Sequence, residues 1–93
     1  MWSILLNNRR TELEIINQIL TLSREGVRKT KVLYQVNLNH RQLNMYLTYL
    51  LEKNIIDEME IISDSGKSFN VYKINEKGEK LLDYITKTLE FLK

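Results

Sequence analysis

The chain has 93 residues, enough for one domain with a single hydrophobic core and too few for two. With 43% hydrophobic and 28% charged residues it has the proportions of an ordinary globular domain, and a net charge of +2 by itself names no polyanionic partner. Cysteine is absent and His40 is the lone histidine, which excludes a disulfide framework, a thiol nucleophile and multi-histidine metal sites, so neither a metal nor a cofactor is expected.

Residues 1–8 are an extension carrying Trp2, Ile4, Leu5 and Leu6. This apolar stretch is far shorter than the ~20 residues a membrane helix needs, and no cleavable signal follows it; a soluble, cytoplasmic protein without a membrane partner is expected. Leu13, Ile16, Ile19 and Leu20 then recur at helical spacing, with Thr11 as N-cap and Glu14 as its capping-box partner, predicting a first helix over about 12–24. Val27 leaves room only for a short extended bridge. Val32, Leu33 and Val36 mark a two-turn second helix ended by Asn37, a residue that tolerates left-handed backbone, and Asn39 caps a third helix over about 40–53. The third helix gathers Leu43, Leu47, Leu50, Leu51 and Asn54 on one face, with Tyr46 on its border, and turns Arg41, Met45, Thr48 and Tyr49 the other way.

From Ile55 the residues favour strands. Ile56–Ser63 and Phe69–Ile74 form a predicted hairpin whose polar tip holds Lys67; the double isoleucines Ile55-Ile56 and Ile61-Ile62 break alternation and leave its inward face open. Asp57, Glu58 and Glu60 read as a solvated strand edge that discourages sheet-to-sheet pairing. Asn75 can cap a last helix over 76–93 bearing Leu81, Leu82, Ile85, Leu89 and Leu92. Tyr34, Tyr46 and Tyr72 are expected at the core or its edge, with hydroxyls at the rim.

Three helices followed by a two-stranded wing predict an α+β winged helix-turn-helix domain over residues 9–75, with residues 76–93 an additional C-terminal helix. Helix-turn-helix units share a pattern of about twenty residues that buries a fixed set of side chains across the turn. Counted from Lys29, that pattern puts Val32, Val36, Leu38, Leu43 and Tyr46 at the apolar places and Asn37 at the turn. Beyond this pattern, Lys29-Thr30-Lys31-Val32-Leu33-Tyr34, Asn37-Leu38-Asn39, Tyr46-Leu47 and Tyr72 to Leu82 with its Glu-Lys-Gly segment resemble the archaeal winged-helix DNA-binding proteins. The likeness runs from about Glu12 to Ile85 and includes the small chromatin-associated dimers of Sulfolobus. It implies a dimeric DNA binder, sequence-tolerant or operator-specific, whose terminal helices pair as an antiparallel coiled coil; the terminal helix here is shorter than theirs.

Charge is distributed in keeping with a nucleic-acid partner. Residues 1–50 carry a balance of +4 and residues 51–93 one of −2, and between Arg24 and Arg41 five cations face only Glu25. With the third helix in the major groove of double-stranded DNA, His40, Arg41, Gln42, Asn44 and Met45 reach toward base edges, Arg41 suiting guanine or a phosphate and Gln42 or Asn44 adenine, and Asn39 ahead of them is counted among the DNA-binding residues. Arg28, Lys29 and Lys31 at the start of the second helix meet phosphates, and Lys67 brings the wing tip to the flanking backbone. The expected role is transcription regulation. A sequence-tolerant, chromatin-type coating protein and a winged helix used for protein contact are the alternatives. No nucleophile with a base, glycine-rich phosphate loop or ligand set suggests an enzyme. Leu82, Ile85, Leu89 and Leu92 recur as an a/d stripe that wants a partner, which with Trp2 and Leu5 predicts a two-fold homodimer interface.

Overall fold

The computed structural model describes residues 10–93, so the expectations placed on Trp2 and Leu5 lie outside the described residues. The described elements run α1 (Glu12–Leu22), β1 (Val27–Arg28), α2 (Lys29–Val36), α3 (His40–Glu52), β2 (Ile56–Ile62), β3 (Ser68–Ile74) and α4 (Glu76–Phe91). The sheet is antiparallel in the order β1-β3-β2. This is the α+β winged helix with a further helix after the wing.

Local chemistry sets most boundaries. Thr11 Oγ1 accepts from Glu14 N at 3.2 Å while Thr11 N donates to Glu14 Oε1, and Asn39 Oδ1 accepts from Gln42 N at 2.8 Å while Asn39 N donates to Gln42 Oε1. Two reciprocal capping boxes therefore open α1 and α3. Asn75 Oδ1 accepts from Gly78 N at 2.9 Å to open α4. By contrast, the N-cap position of α2 is Arg28, which makes no side-chain capping bond. Asn37 ends α2 in the left-handed region at φ 57°, as its residue type suggested. A second left-handed asparagine, Asn54 at φ 60°, turns the chain out of α3; that helix stops at Glu52, and Asn54 is exposed instead of extending the buried face.

α1 ends at Leu22, short of the expected boundary, because Ser23 is drawn into the interior. Its Oγ donates to the Ile19 carbonyl at 2.7 Å and its own carbonyl accepts from Ile74 N at 2.9 Å, so the end of α1 is pinned to the end of β3. The core gathers Ile19 and Leu20 from α1, Val32 and Val36 from α2, Leu43, Leu47 and Leu50 from α3, and Ile56, Tyr72 and Ile74 from the base of the sheet.

Three expectations are corrected. α4 packs along α1, with Asn17 Nδ2 donating to Thr86 Oγ1 at 3.1 Å, and Leu82 and Ile85 are buried within this chain rather than left for a partner. The apolar stripe is real, but α1 already covers its first half; Leu89 is half-buried and only Leu92 stands out in solvent. The wing is not a free hairpin, because Val27 and Arg28 pair with Tyr72 and Val71 and add a third strand at its base. Tyr34 is 80% exposed, since α2 turns Val32 and Val36 inward and places Tyr34 on its far side. The inward face of the wing is now defined by Ile56, Tyr72 and Ile74; from Asp57 to Ile62 β2 is exposed, so the hairpin projects beyond the core.

Candidate nucleic-acid interface

α3 divides its side chains cleanly. Leu43, Leu47 and Leu50 face the core, while His40, Arg41, Asn44, Met45 and Thr48 are exposed. Arg41, Asn44, Met45, Thr48, Tyr49 and Glu52 line one shallow, open groove along the outer side of the helix, following steps of three and four residues. At its far end Lys53 Nζ lies 5.7 Å from the centroid of the Tyr49 ring, a cation–aromatic pair. Two of the sequence candidates are already engaged: the side-chain oxygens of Asn39 and Gln42 serve the capping box. What remains of Gln42 for an outside partner is its amide nitrogen, a donor.

α2 precedes α3 in the chain, and its start lies upstream of this stripe by the length of α2 and the turn. Arg28, Lys29 and Lys31 are all exposed, and the first amides of α2 carry no side-chain cap. Unsatisfied N–H groups and the positive end of a helix dipole attract an anion, here reinforced by three cationic side chains. The Arg28 guanidinium lies 4.0 Å from the centroid of the Phe69 ring on β3, which links the start of α2 to the wing. Lys67 is exposed beside the wing tip, where Gly66 supplies φ 85° and the Ser63 and Ser65 hydroxyls meet at 2.9 Å.

Arg10 was not legible as part of this region. Its Nη1 donates to Gln18 Oε1 at 2.7 Å and to the Val36 carbonyl, and its Nη2 donates to the Asn37 carbonyl at 3.3 Å. It thus closes the C-terminal end of α2, where a cation suits the helix dipole, and braces the turn between α2 and α3. No local spacing announces a bond across so many residues.

The acidic edge of the wing is also more than a solvated face. Glu58 Oε2 accepts from Asn70 Nδ2 at 2.9 Å and from the Tyr72 hydroxyl at 3.1 Å, and Asp57 Oδ1 accepts from Asn75 Nδ2 at 3.3 Å. Burial raises the Tyr72 phenol above its ordinary value of 10.0, and the hydrogen bond to Glu58 and that carboxylate's charge push it the same way. Burial raises the Tyr46 phenol too, with Glu12 adding to the effect and Arg10 opposing it. The native state therefore holds these protons more tightly than the unfolded chain does. Their stabilising contribution is whole below pH 10 and is lost as pH rises through the native values. Denaturation titrations across this range are expected to show an alkaline loss of stability that is shallower in Tyr72→Phe; equal slopes for the two proteins would contradict the assignment.

With the helix-turn-helix, the wing and the stripe between them in place, a family model described as winged helix-turn-helix matches residues 9–93. The chain belongs to this winged helix-turn-helix family. Archaeal proteins are similar to it: an uncharacterized protein of Methanocaldococcus jannaschii is 30% identical over 91 residues, covering 97% of this chain and 39% of that relative. Another from the same organism is 26% identical over 85 residues, covering 90% of this chain and 78% of the relative. The winged helix-turn-helix chain thus spans well under half of the first relative and most of the second. Its fold is similar to that of a PadR-like transcription factor from Bacteroides fragilis, with a TM-score of 0.71 at 19% identity, covering 84% of this chain and 82% of that one. It is also similar to a possible transcriptional regulator from Methanosarcina mazei, with a TM-score of 0.57 at 14% identity, covering 95% and 76%. Among the described residues no helix is long and apolar enough to cross a membrane, and no three acidic or histidine side chains converge as metal ligands would.

Proposed function

We propose that this winged helix-turn-helix protein is a non-enzymatic transcription regulator that binds double-stranded DNA. α3 lies in the major groove with Arg41, Asn44 and Met45 toward base edges and His40 and Gln42 beside them. Arg28, Lys29 and Lys31 meet phosphates, and Lys67 reaches the flanking backbone. The observation that carries this reading is that one helix-turn-helix carries both an exposed stripe of mixed polar and apolar side chains on α3 and an uncapped, cation-flanked start of α2. A helix start without a side-chain cap leaves amides for a phosphate, and the stripe on α3 supplies base-edge donors.

Selection from random duplexes followed by titration tests it. Arg41→Ala is expected to weaken the selected site by about 1–3 kcal/mol and to relax one position per half-site, whereas Lys29→Ala or Lys31→Ala weakens all duplexes alike and lowers the salt slope by about 1. Equal losses on selected and random DNA would make Arg41 a phosphate contact, and unchanged affinity in all three variants would reject the docking. A sequence-tolerant, chromatin-type role is favoured by one observation, that the capping box takes up the side-chain oxygens of Asn39 and Gln42 while Arg28, Lys29, Lys31 and Lys67 all remain exposed. Selection that enriches no motif would support it.

The proposed oligomer is a two-fold homodimer. Its support is the C-terminal end of α4 and the residue after it, where Phe91 is 89% and Leu92 66% exposed, next to half-buried Leu89. A two-fold pair sets two α3 helices on one side of a duplex about one helical turn (~34 Å) apart. Sedimentation equilibrium is expected to give twice the 11.1 kDa of one chain, reverting to the single mass in Phe91→Glu/Leu92→Glu. A wild-type chain that stays at the single mass would reject the dimer. Ile85 is unsuitable for this test because it belongs to the core of its own chain.

A further inference from the structure

We propose that Phe69 is a positioning residue for nucleic-acid binding, holding Arg28 flat against the wing so that its guanidinium grips a phosphate between the start of α2 and the hairpin. The proposal rests on the DNA-binding reading above and adds to it a role for a side chain on the wing.

The register fixes the arrangement. Arg28 pairs with Val71, and Phe69 lies two residues further along β3 toward the wing tip, on the same face of the sheet. A long side chain reaches such a diagonal neighbour, and the guanidinium carbon sits 4.0 Å from the ring centroid. Ile61 is paired with Phe69 across the hairpin and so shares this face of the sheet. Arg28 occupies the N-cap position of α2, and its guanidinium, which has donors only, cannot cap the first amides of that helix. Among the described residues the ion pairs are Arg24 with Glu79 and Lys87 with Asp83, so no carboxylate neutralises Arg28.

Stacking on a ring consumes only the face of a guanidinium. Its N–H donors lie in the plane and point outward, where they match two oxygens of a phosphate. A free arginine would have to give up most of its rotamers on binding, and one laid on Phe69 has given up part of them already. The side chain also stands at the junction of α2 and the wing, so a phosphate held there meets both elements that flank α3.

Fluorescence anisotropy of a labelled duplex with the full chain tests the proposal through a double-mutant cycle. Arg28→Ala is expected to weaken binding about tenfold and to lower the salt slope by about 1. Phe69→Leu, which keeps an apolar partner for Ile61, should weaken it about two- to fivefold and add nothing once Arg28 is alanine. Phe69→Tyr should bind like the wild type. Arg28→Lys keeps the charge without the planar fork and should match Phe69→Leu, which keeps the test decisive even if Phe69→Leu lowers the unfolding midpoint. Additive losses in the double variant, or wild-type affinity in Phe69→Leu, would overturn the positioning role while leaving DNA binding intact. A wild-type chain that binds no duplex would remove both readings together.

Discussion

Leu43→Ala is expected to destabilise the domain by about 2–5 kcal/mol, measured as a lower urea midpoint at unchanged slope. Leu43 is fully buried on the inward face of α3, at the place in the helix-turn-helix pattern where the third helix is seated against its neighbours. Removing its isobutyl group loses the transfer free energy of the side chain and leaves a hole. Fixed backbone on both sides limits collapse, since α3 is held in front by left-handed Asn37 and behind by left-handed Asn54. For a domain of this size, whose whole stability is of order 5–15 kcal/mol, this is a large fraction. A loss below about 1 kcal/mol would mean that α3 can shift to fill the space, contrary to this anchoring.

The second large effect is expected at Gly78. Alanine is the better helix former by about 1 kcal/mol, so Gly78→Ala in an exposed helix would stabilise. Here a Cβ would fall within 3.0 Å of both the Ile55 carbonyl oxygen and Ile74 Cγ1. The first is a backbone atom that also accepts from Asn75 N at 3.3 Å, so α4 cannot yield without pulling its own start away from the sheet. Overpacking of this kind costs about 1–3 kcal/mol or more, and against backbone the upper end applies. The expected result is a net loss of about 2 kcal/mol, read as a fall of roughly 8–16 °C in the unfolding midpoint. Gly66→Ala at the wing tip is the informative comparison: nothing lies within 4 Å of its Cβ, and only the positive φ opposes the change. If Gly78→Ala proved as stable as the wild type, the close seating of α4 on Ile55 and the end of β3 would be wrong.

Much of this architecture was legible because it is local. Thr11 and Glu14, Asn39 and Gln42, and Asn75 each sit three residues from the amide or side chain they bind, and Asn37 ends α2 by its own conformational tolerance. The outward stripe of α3 followed from helical periodicity in the same way. What escaped were pairings between distant residues. β1 is only two residues long and shows no alternation, so nothing in the sequence marks it as the partner of Tyr72 and Val71. Leu82 and Ile85 have the same spacing whether they face α1 of the same chain or a second molecule, and periodicity cannot choose. Arg10 and Arg28 look like solvent-facing cations until the carbonyls of Val36 and Asn37 and the ring of Phe69 are placed beside them.

The clean division of α3 has an evolutionary consequence. Its inward leucines and its outward positions 41, 44, 45 and 48 share no residue, and substitutions at exposed positions of this kind shift stability by only about ±0.5 kcal/mol. Descendants of this chain are free to exchange those four outward side chains, and with them whatever they recognise, while inheriting the same scaffold. Gln42 stands apart from that freedom. It lies on the outer side among them, yet its oxygen closes the capping box with Asn39, so drift at this one position is taxed by the folding of the helix itself.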